Sequence, residues 1–103
     1  MHVDDLASGV LFLLELENPP DWVNLGTGKD HSIQEISELV KEEVGFDGMI
    51  SNDLSKPDGM PQKKLDISLA ESLGWSAKIP LIEGLRSAYN DFLDSLENNS
   101  ARL

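Results

Sequence analysis

Cysteine is missing from the sequence, and basic residues are few. Without cysteine, the 103-residue chain has no disulfide, no thiolate nucleophile and no cysteine-ligated zinc site. This composition is compatible with a reducing compartment, and we expect a cytoplasmic protein. Eight Lys and Arg residues stand against nineteen Asp and Glu, for a net charge of −11. Binding to nucleic acid or to anionic membranes is disfavoured, because no basic face is available to displace counterions.

Long hydrophobic runs are also missing, so no segment reaches membrane-spanning length. No signal-peptide pattern comes before the first helical pattern. Residues 1–5 lead directly into that pattern, with no strand before it. This beginning resembles a cut end and leaves the source of Met1 open. A chain of this length suits one small domain with a modest core. We therefore expect a single region over residues 1–103, a piece of a longer protein, with a frayed tail at 98–103.

Apolar periodicity predicts four helices. The first covers residues 5–17, with Asp4 as its N-cap and Asp5 at its positive end. A capping box at 32–35 opens the second, and Gly45 ends it. The remaining two are a short helix at 68–73, closed by Gly74 in a left-handed conformation, and a final helix at about 81–98.

Two short segments have the character of β-strands, residues 22–25 and, more weakly, residues 49–51. A sheet of two strands is too small to be stable alone. Either the helices bury it, or a missing part of the protein completes it. The sequence therefore predicts a small, helix-rich α/β fold.

A glycine-containing turn, Gly26-Thr27-Gly28-Lys29, follows the first predicted strand and suggests phosphate binding. A P-loop would need glycine where the chain has Val23, and Ser or Thr where it has Asp30. A dinucleotide fingerprint would need a third glycine at His31. Both patterns fail, so we interpret this stretch as a plain strand-to-helix turn.

Other polar patterns also fall short of a catalytic or metal site. The acid pairs Asp4-Asp5 and Glu42-Glu43 do not converge, because neighbouring positions on a helix point in different directions. We interpret them as capping and surface charge. His2 and His31 have no zinc-ligand spacing. On its own, the chain looks catalytically empty.

The most unusual feature is residues 55–66, SKPDGMPQKKLD, called the lysine loop below. It holds three of the eight basic residues: Lys56, Lys63 and Lys64. Two prolines and an Asp58-Gly59 turn signal give it an irregular backbone. A rigid loop of this kind could hold an anion such as a phosphate. The alternative is that its lysines only balance nearby acids: Asp53, Asp58 and Asp66.

The lysine loop resembles a loop of GDP-L-fucose synthases, typically Ser-Lys-Pro-Asp-Gly-Thr-Pro-Arg-Lys-Leu-Leu-Asp. Nine of its twelve positions agree. Further stretches resemble the family in the same order along the chain: His2-Val3-Asp4-Asp5-Leu6-Ala7, Val23-Asn24-Leu25-Gly26-Thr27-Gly28, Leu73-Gly74-Trp75 and Ile79-Pro80-Leu81. The likeness runs from residue 2 to about residue 96.

This resemblance implies the C-terminal, substrate-binding α/β part of an extended short-chain dehydrogenase/reductase. In that family an N-terminal Rossmann domain binds NADP(H) and carries the catalytic Ser, Tyr and Lys, with a Cys and a His as acid/base groups. Those motifs do not occur in this sequence. The resemblance thus implies a piece with no cofactor of its own and no activity alone. Its partners would be a GDP-sugar and the missing Rossmann domain, in an enzyme that forms a homodimer.

The family epimerises C3 and C5 of GDP-4-keto-6-deoxymannose and then reduces C4 with NADPH. Its nucleotide-contacting loop lysine corresponds to Lys63, and we take Lys64, Lys56 and Asp58 as further substrate-binding candidates. The loop departs from the family at Met60, Gln62 and Lys64, which leaves another nucleotide-sugar epimerase or dehydratase as an alternative.

A stand-alone acidic interaction module is the contrasting hypothesis, and it predicts no large bare apolar patch. A piece of a larger enzyme instead predicts exposed apolar surface where the Rossmann domain would pack. We expect that surface on the first helix, at Leu6, Val10, Leu13 and Leu14.

Overall fold

The computed structural model describes residues 1–98, which form four helices and no β-strand. The helices are α1 (Val3–Leu14), α2 (Ile33–Glu43), α3 (Ser68–Leu73) and α4 (Leu81–Glu97). The chain forms two compact units. The first comprises residues 1–30 and 58–79, and the second comprises, among the described residues, 31–57 and 80–98.

In the first unit, α1 begins and ends earlier than the sequence predicted. Its N-cap is His2, whose Nδ1 accepts a hydrogen bond from the backbone N–H of Asp4 at 3.3 Å. The prediction of Asp4 as the cap was wrong, because an imidazole nitrogen takes the role usually given to Asp or Ser. The helix ends at Leu14 with Glu15 as its C-cap, before the two prolines that follow.

Asp5 is buried, with 4% of its surface exposed, so its interpretation as surface charge was wrong. Its Oδ1 accepts a hydrogen bond from the backbone N–H of Lys78 at 3.0 Å, and its Oδ2 accepts one from Ile79 at 2.9 Å. The bond from Lys78, with that from Ile79, lowers the pKa of Asp5 below the ordinary aspartate value, although burial opposes this. One carboxylate therefore joins the first turn of α1 to the backbone near residue 79.

The apolar core of this unit lies beside the same turn of α1. Ala70 and Trp75 are its buried apolar side chains, at 1% and 7% exposed. The indole Nε1 of Trp75 donates to Oγ of Ser8 at 3.1 Å, which satisfies its one polar atom. A Cβ on Gly9 would lie 2.9 Å from Cζ2 of Trp75, so only glycine lets the indole approach α1 this closely.

Gly74 sends the chain from α3 back to this core. It has the left-handed φ of 104° predicted for it, and ends α3 as expected. The reversal is closed by a hydrogen bond from the N–H of Trp75 to the carbonyl of Ala70 at 3.0 Å.

The second unit is built on the packing of α2 against α4. The predicted capping box is confirmed: the N–H of Ser32 donates to Oε2 of Glu35 at 2.7 Å, and the N–H of Glu35 donates to Oγ of Ser32 at 3.1 Å. Arg86 on α4 forms a two-pronged ion pair with Glu43 on α2, with Nε to Oε1 at 2.8 Å and Nη2 to Oε2 at 3.2 Å. This planar pairing sets the register of the two helices.

Neither predicted strand forms within residues 1–98. Trp22, in the first segment, is 78% exposed, and Met49, in the second, is 94% exposed. A strand needs a partner to complete its ladder of hydrogen bonds, and these segments have none among the described residues. Their β-type composition is therefore not sufficient to make a sheet here.

An apolar stripe of exposed residues follows one side of α1. Its members, at helical spacing, are Val3, Leu6, Val10 and Leu14, with 68%, 44%, 45% and 76% of their surface exposed. The expectation of bare apolar surface on the first helix is confirmed, although Leu13 is half-buried. Among the described residues, no helix combines the length and apolar character needed to cross a membrane.

The frayed tail predicted for residues 98–103 lies, beyond Asn98, outside the described residues. Asn98 itself follows α4 directly. Its backbone N–H and its Nδ2 both donate to the carbonyl of Asp94, at 3.0 and 2.9 Å.

Replacing Asp5 by Asn should destabilise the chain by about 2 kcal/mol, because one of two buried N–H groups would lose its charged acceptor. Urea unfolding of the wild type and of Asp5→Asn measures the difference. Asp4→Asn is the matched control, since the side chain of Asp4 is 77% exposed. Equal unfolding midpoints for all three proteins would contradict the role given to Asp5.

The same carboxylate should make stability depend on pH. A lowered pKa means that its stabilisation is complete above the unfolded aspartate value of about 3.9, and is lost as pH falls through the lower folded value. Between pH 5 and about 2, the free energy of unfolding should therefore fall less steeply for Asp5→Asn than for the wild type. Parallel curves would count against the assignment.

Candidate anion-binding loop

The lysine loop has no regular secondary structure, and each of its residues is exposed. Asp58, Lys63 and Lys64 belong to the first unit, and Lys63 and Lys64 are adjacent in sequence. Lys56 belongs to the second unit. The structure thus keeps three of the four predicted site residues within one unit.

A tight turn holds the beginning of the loop in the second unit. Oδ1 of Asp53 accepts hydrogen bonds from Oγ of Ser55 at 2.6 Å and from its backbone N–H at 3.0 Å. The bond from the Ser55 hydroxyl, followed by that from its N–H, lowers the pKa of Asp53. The carboxylate is therefore occupied as a turn acceptor.

A second turn holds the end of the loop in the first unit. Oδ1 of Asp66 accepts a hydrogen bond from the backbone N–H of Ser68 at 3.0 Å, and the two bonds from Ser68, backbone first, lower the pKa of Asp66. The carbonyl of Asp66 also accepts a bond from Nδ2 of Asn24 at 3.1 Å, across 42 positions of sequence. The stem of the loop is thereby joined to residues 24–28.

The lysines of the loop do not balance its acids by direct contact. The ion pair of Arg86 with Glu43, at 2.8 Å, and the 3.6 Å contact of His2 with Asp4 both lie outside the loop. Neither involves Lys56, Lys63 or Lys64. The charge-balance alternative thus has no direct ion pair in its support, and the loop lysines are exposed, where a soluble anion can reach them.

The glycines of Gly26-Thr27-Gly28-Lys29 serve side-chain packing. Gly28 has a left-handed φ of 64°, and a Cβ on it would lie 2.6 Å from Cδ1 of Ile67. A Cβ on Gly26 would lie 3.4 Å from Cγ2 of Ile67 and 3.5 Å from Cδ1 of Leu65. The space above both glycines is filled by side chains, so these residues do not fit the pyrophosphate of a dinucleotide. The strand predicted before this turn does not form among the described residues, and the plain-turn interpretation otherwise stays a prediction.

The described residues also hold no group of three His, Asp or Glu side chains that could bind a metal ion. A shallow hollow after α2 is lined by Glu38, Lys41, Glu42, Gly45, Phe46 and Asp47. With three acids against one lysine, it suits an anion poorly. The lysine loop remains the candidate site.

Sequence reasoning missed two contributors to this site. Asn24 was assigned to a strand, and Ile67 was given no role. The one polar side chain in the apolar run Val23-Asn24-Leu25 was a signal for Asn24, since a polar residue there usually has a specific partner. The packing of Ile67 on Gly28 left no local signal, because it depends on residues 39 positions apart.

Comparison with known proteins gives consistent matches. The chain is 45% identical over 96 residues to a probable GDP-L-fucose synthase 1 of Oryza sativa subsp. japonica, covering 93% of this chain and 29% of the relative. The fold is similar to a GDP-6-OMe-4-keto-L-xylo-heptose reductase from C. jejuni, with a TM-score of 0.78 and 32% identity over 92% of this chain and 30% of that one.

A second solved structure is MlghC, a GDP-mannoheptose C4 reductase from Campylobacter jejuni with NADP bound. Its TM-score is 0.76 and its identity 34%, over 87% of this chain and 29% of that one. No family model matches. The chain spans less than a third of the length of these relatives and corresponds to their C-terminal part.

Proposed function

Since the chain belongs to the GDP-L-fucose synthase family of extended short-chain dehydrogenases/reductases, at its C-terminal part, we propose that it is the GDP-sugar-binding part of such an enzyme. The complete, cytoplasmic and homodimeric enzyme would use NADPH to convert GDP-4-keto-6-deoxymannose to GDP-L-fucose. The observation that carries the proposal is an exposed lysine loop without internal ion pairs, in a chain 45% identical to a synthase of that name.

Lys63 is the central residue of the proposed site. It lies two positions before Leu65, whose side chain lies near Gly26 in the first unit. An ammonium group so placed can form charge-assisted hydrogen bonds with a diphosphate. Lys64 adds a second charge, and Lys56 and Asp58 are the remaining candidates.

Binding at this loop serves chemistry that occurs elsewhere in the complete enzyme. The GDP end of the substrate does not react, so its binding energy can orient the distant sugar at the catalytic groups. NADP(H) would supply the hydride when it is bound to the Rossmann domain. This chain contributes binding and orientation only.

The composition of the loop also supports a second sugar substrate. Met60, Gln62 and Lys64 differ from the typical family loop, and the two solved relatives are named as reductases of GDP-heptoses. Both names include GDP, which supports the nucleotide. Another GDP-sugar epimerase or reductase is therefore the second candidate function.

The apolar stripe of α1 supports a chain that packs against further protein. A stand-alone acidic module should not leave four apolar side chains of one helix between 44% and 76% exposed. The relatives have more than two thirds of their length outside the matched region. We propose that the N-terminal Rossmann domain covers this stripe.

In an enzyme of family length that carries this chain, Lys63→Ala should raise the KM for the GDP-sugar by about 10- to 100-fold, because one charge-assisted bond to the diphosphate is lost. The kcat should change much less, since the lysine does not touch the reacting sugar. Steady-state kinetics and inhibition by GDP measure both. Lys29→Ala removes a lysine from outside the loop and is the matched control. An unchanged inhibition constant for GDP would overturn the assignment.

The 103-residue chain alone should neither turn over GDP-4-keto-6-deoxymannose nor bind NADPH, because the cofactor fingerprint fails in its sequence. NADPH oxidation and fluorescence titration test this, with a family-length enzyme as the positive control. Turnover by the isolated chain would show that the division of labour proposed above is wrong.

Val10→Glu should weaken binding of this chain to the N-terminal part of a GDP-L-fucose synthase, produced separately, by about tenfold or more, because a charge would enter an apolar contact. Isothermal titration calorimetry measures the affinity. Met49→Glu is the control, since Met49 is also exposed but lies outside α1. Equal affinities for Val10→Glu and the wild type would exclude the stripe as the contact surface.

A further inference from the structure

We infer that Asn24 is a positioning residue for the lysine loop: its side chain holds the loop stem so that Lys63 and Lys64 are in place before the diphosphate arrives. This inference rests on the proposed function. It assigns a binding role to the turn at residues 24–28, which failed as a phosphate-binding motif in its own right.

The contact that carries the inference joins two distant parts of the first unit. Nδ2 of Asn24 donates to the backbone carbonyl of Asp66 at 3.1 Å. Asp66 lies two positions after Lys64 and three after Lys63. A hydrogen bond to the backbone fixes the course of the chain itself, and does so immediately beside the two lysines.

Packing at the next residues reinforces that hydrogen bond. Ile67 and Leu65 contact the turn at the two places where glycine leaves room, and a Cβ at Gly28 would be only 2.6 Å from Ile67. Gly28 has a positive φ of 64°, a conformation that glycine adopts without strain. The side chains on both sides of Asp66 therefore lie against residues 26–28.

The stem ends in a turn that restrains it from the other direction. The carboxylate of Asp66 accepts the N–H of Ser68, and α3 begins at that serine. The Asp66 residue thus uses its carbonyl for Asn24 and its side chain for the start of α3. By contrast, a Cβ on Gly59 would meet no atom within 4 Å, so packing does not confine that part of the loop.

Restraint of the stem bears directly on affinity. A mobile loop loses conformational freedom when a ligand orders it, and that cost reduces the net binding free energy. A stem already ordered by Asn24 avoids part of that cost at Lys63 and Lys64. The expected consequence of losing the anchor is weaker binding of the diphosphate with unchanged chemistry at the sugar.

Asn24→Asp is the sharpest variant, because it keeps the shape of the side chain and replaces the N–H donor with an oxygen that repels the Asp66 carbonyl. Asn24→Ala removes the donor without adding charge. In a family-length enzyme that carries this chain, both should raise the inhibition constant for GDP by about 3- to 10-fold, the loss of one hydrogen bond. The kcat and the KM for NADPH should stay within about twofold of the wild type, since both variants keep the lysines that orient the substrate.

Gln34→Glu is the matched control. Nε2 of Gln34 donates a hydrogen bond to Oε1 of Glu38 at 2.9 Å within α2. The variant therefore also replaces a side-chain amide donor with a carboxylate. It adds the same negative charge in the other unit. GDP inhibition should be unchanged in this variant.

A second measurement tests the anchor without ligand. Backbone ¹⁵N relaxation of the 103-residue chain should give order parameters typical of rigid backbone, about 0.85, at Lys64–Asp66, falling toward about 0.6 in Asn24→Ala. Thermal unfolding of each variant shows that the fold persists. Unchanged order parameters at the stem would overturn the inference.

The outcomes separate this inference from the function it rests on. If Lys63→Ala weakens GDP inhibition but both Asn24 variants leave it unchanged, the inference is wrong and the proposed function stands. If Lys63→Ala also has no effect, both are wrong. If the Asn24 variants raise the KM for NADPH by the same factor as the inhibition constant for GDP, the residue supports the fold in general, and a positioning role is excluded.

Discussion

The carboxylate of Asp5 is the contact on which the first unit depends. It lies in the first turn of α1 and accepts the backbone N–H groups of Lys78 and Ile79, more than seventy positions later in sequence. A buried carboxylate with two such donors resists replacement, because any smaller or neutral group leaves an N–H without a partner. One turn further along α1, Ser8 accepts the hydrogen bond from the indole of Trp75, and Gly9 leaves room for that ring. The core and the polar contact are therefore one arrangement.

The small interior gives such contacts unusual weight. The buried apolar side chains of the described residues are Ala70 and Trp75, and nineteen large apolar side chains are exposed. Hydrophobic burial within the chain is thus limited, and directional bonds from Asp5, Asn24 and Arg86 hold segments that packing alone would hold weakly. The exposed apolar stripe of α1 is a further part of the apolar surface that the chain does not bury. It fits a chain that spans less than a third of the length of its relatives, and whose remaining apolar surface we propose to lie against a Rossmann domain.

The two parts of the lysine loop differ in how many contacts hold them. Its stem is held by a side-chain amide, by two packed aliphatic residues and by the turn into α3, whereas the residues around Gly59 lie in open space. A cation next to a fixed stem can recognise a diphosphate without much loss of freedom, and the rest of the loop can adapt to what the diphosphate carries. Variation at Met60 and Gln62 would then affect the sugar more than the nucleotide.

The amino-acid sequence by itself determined the four helices, the capping box of α2 and the left-handed Gly74, because each of these follows from nearest neighbours or helical spacing. It also identified the lysine loop by composition. The family resemblance came from matching motifs in the same order along the chain, and the exposed stripe of α1 was expected from that resemblance. Tertiary structure decided the rest. Asp5 reads locally as a helix-end charge and becomes buried only because residues 78 and 79 meet it. Residues 22–25 have the composition of a strand, but no strand lies beside them within residues 1–98, and Asn24 bonds to Asp66. Contacts between residues forty or seventy positions apart leave no periodic pattern, so only the folded chain reveals which polar groups are partners.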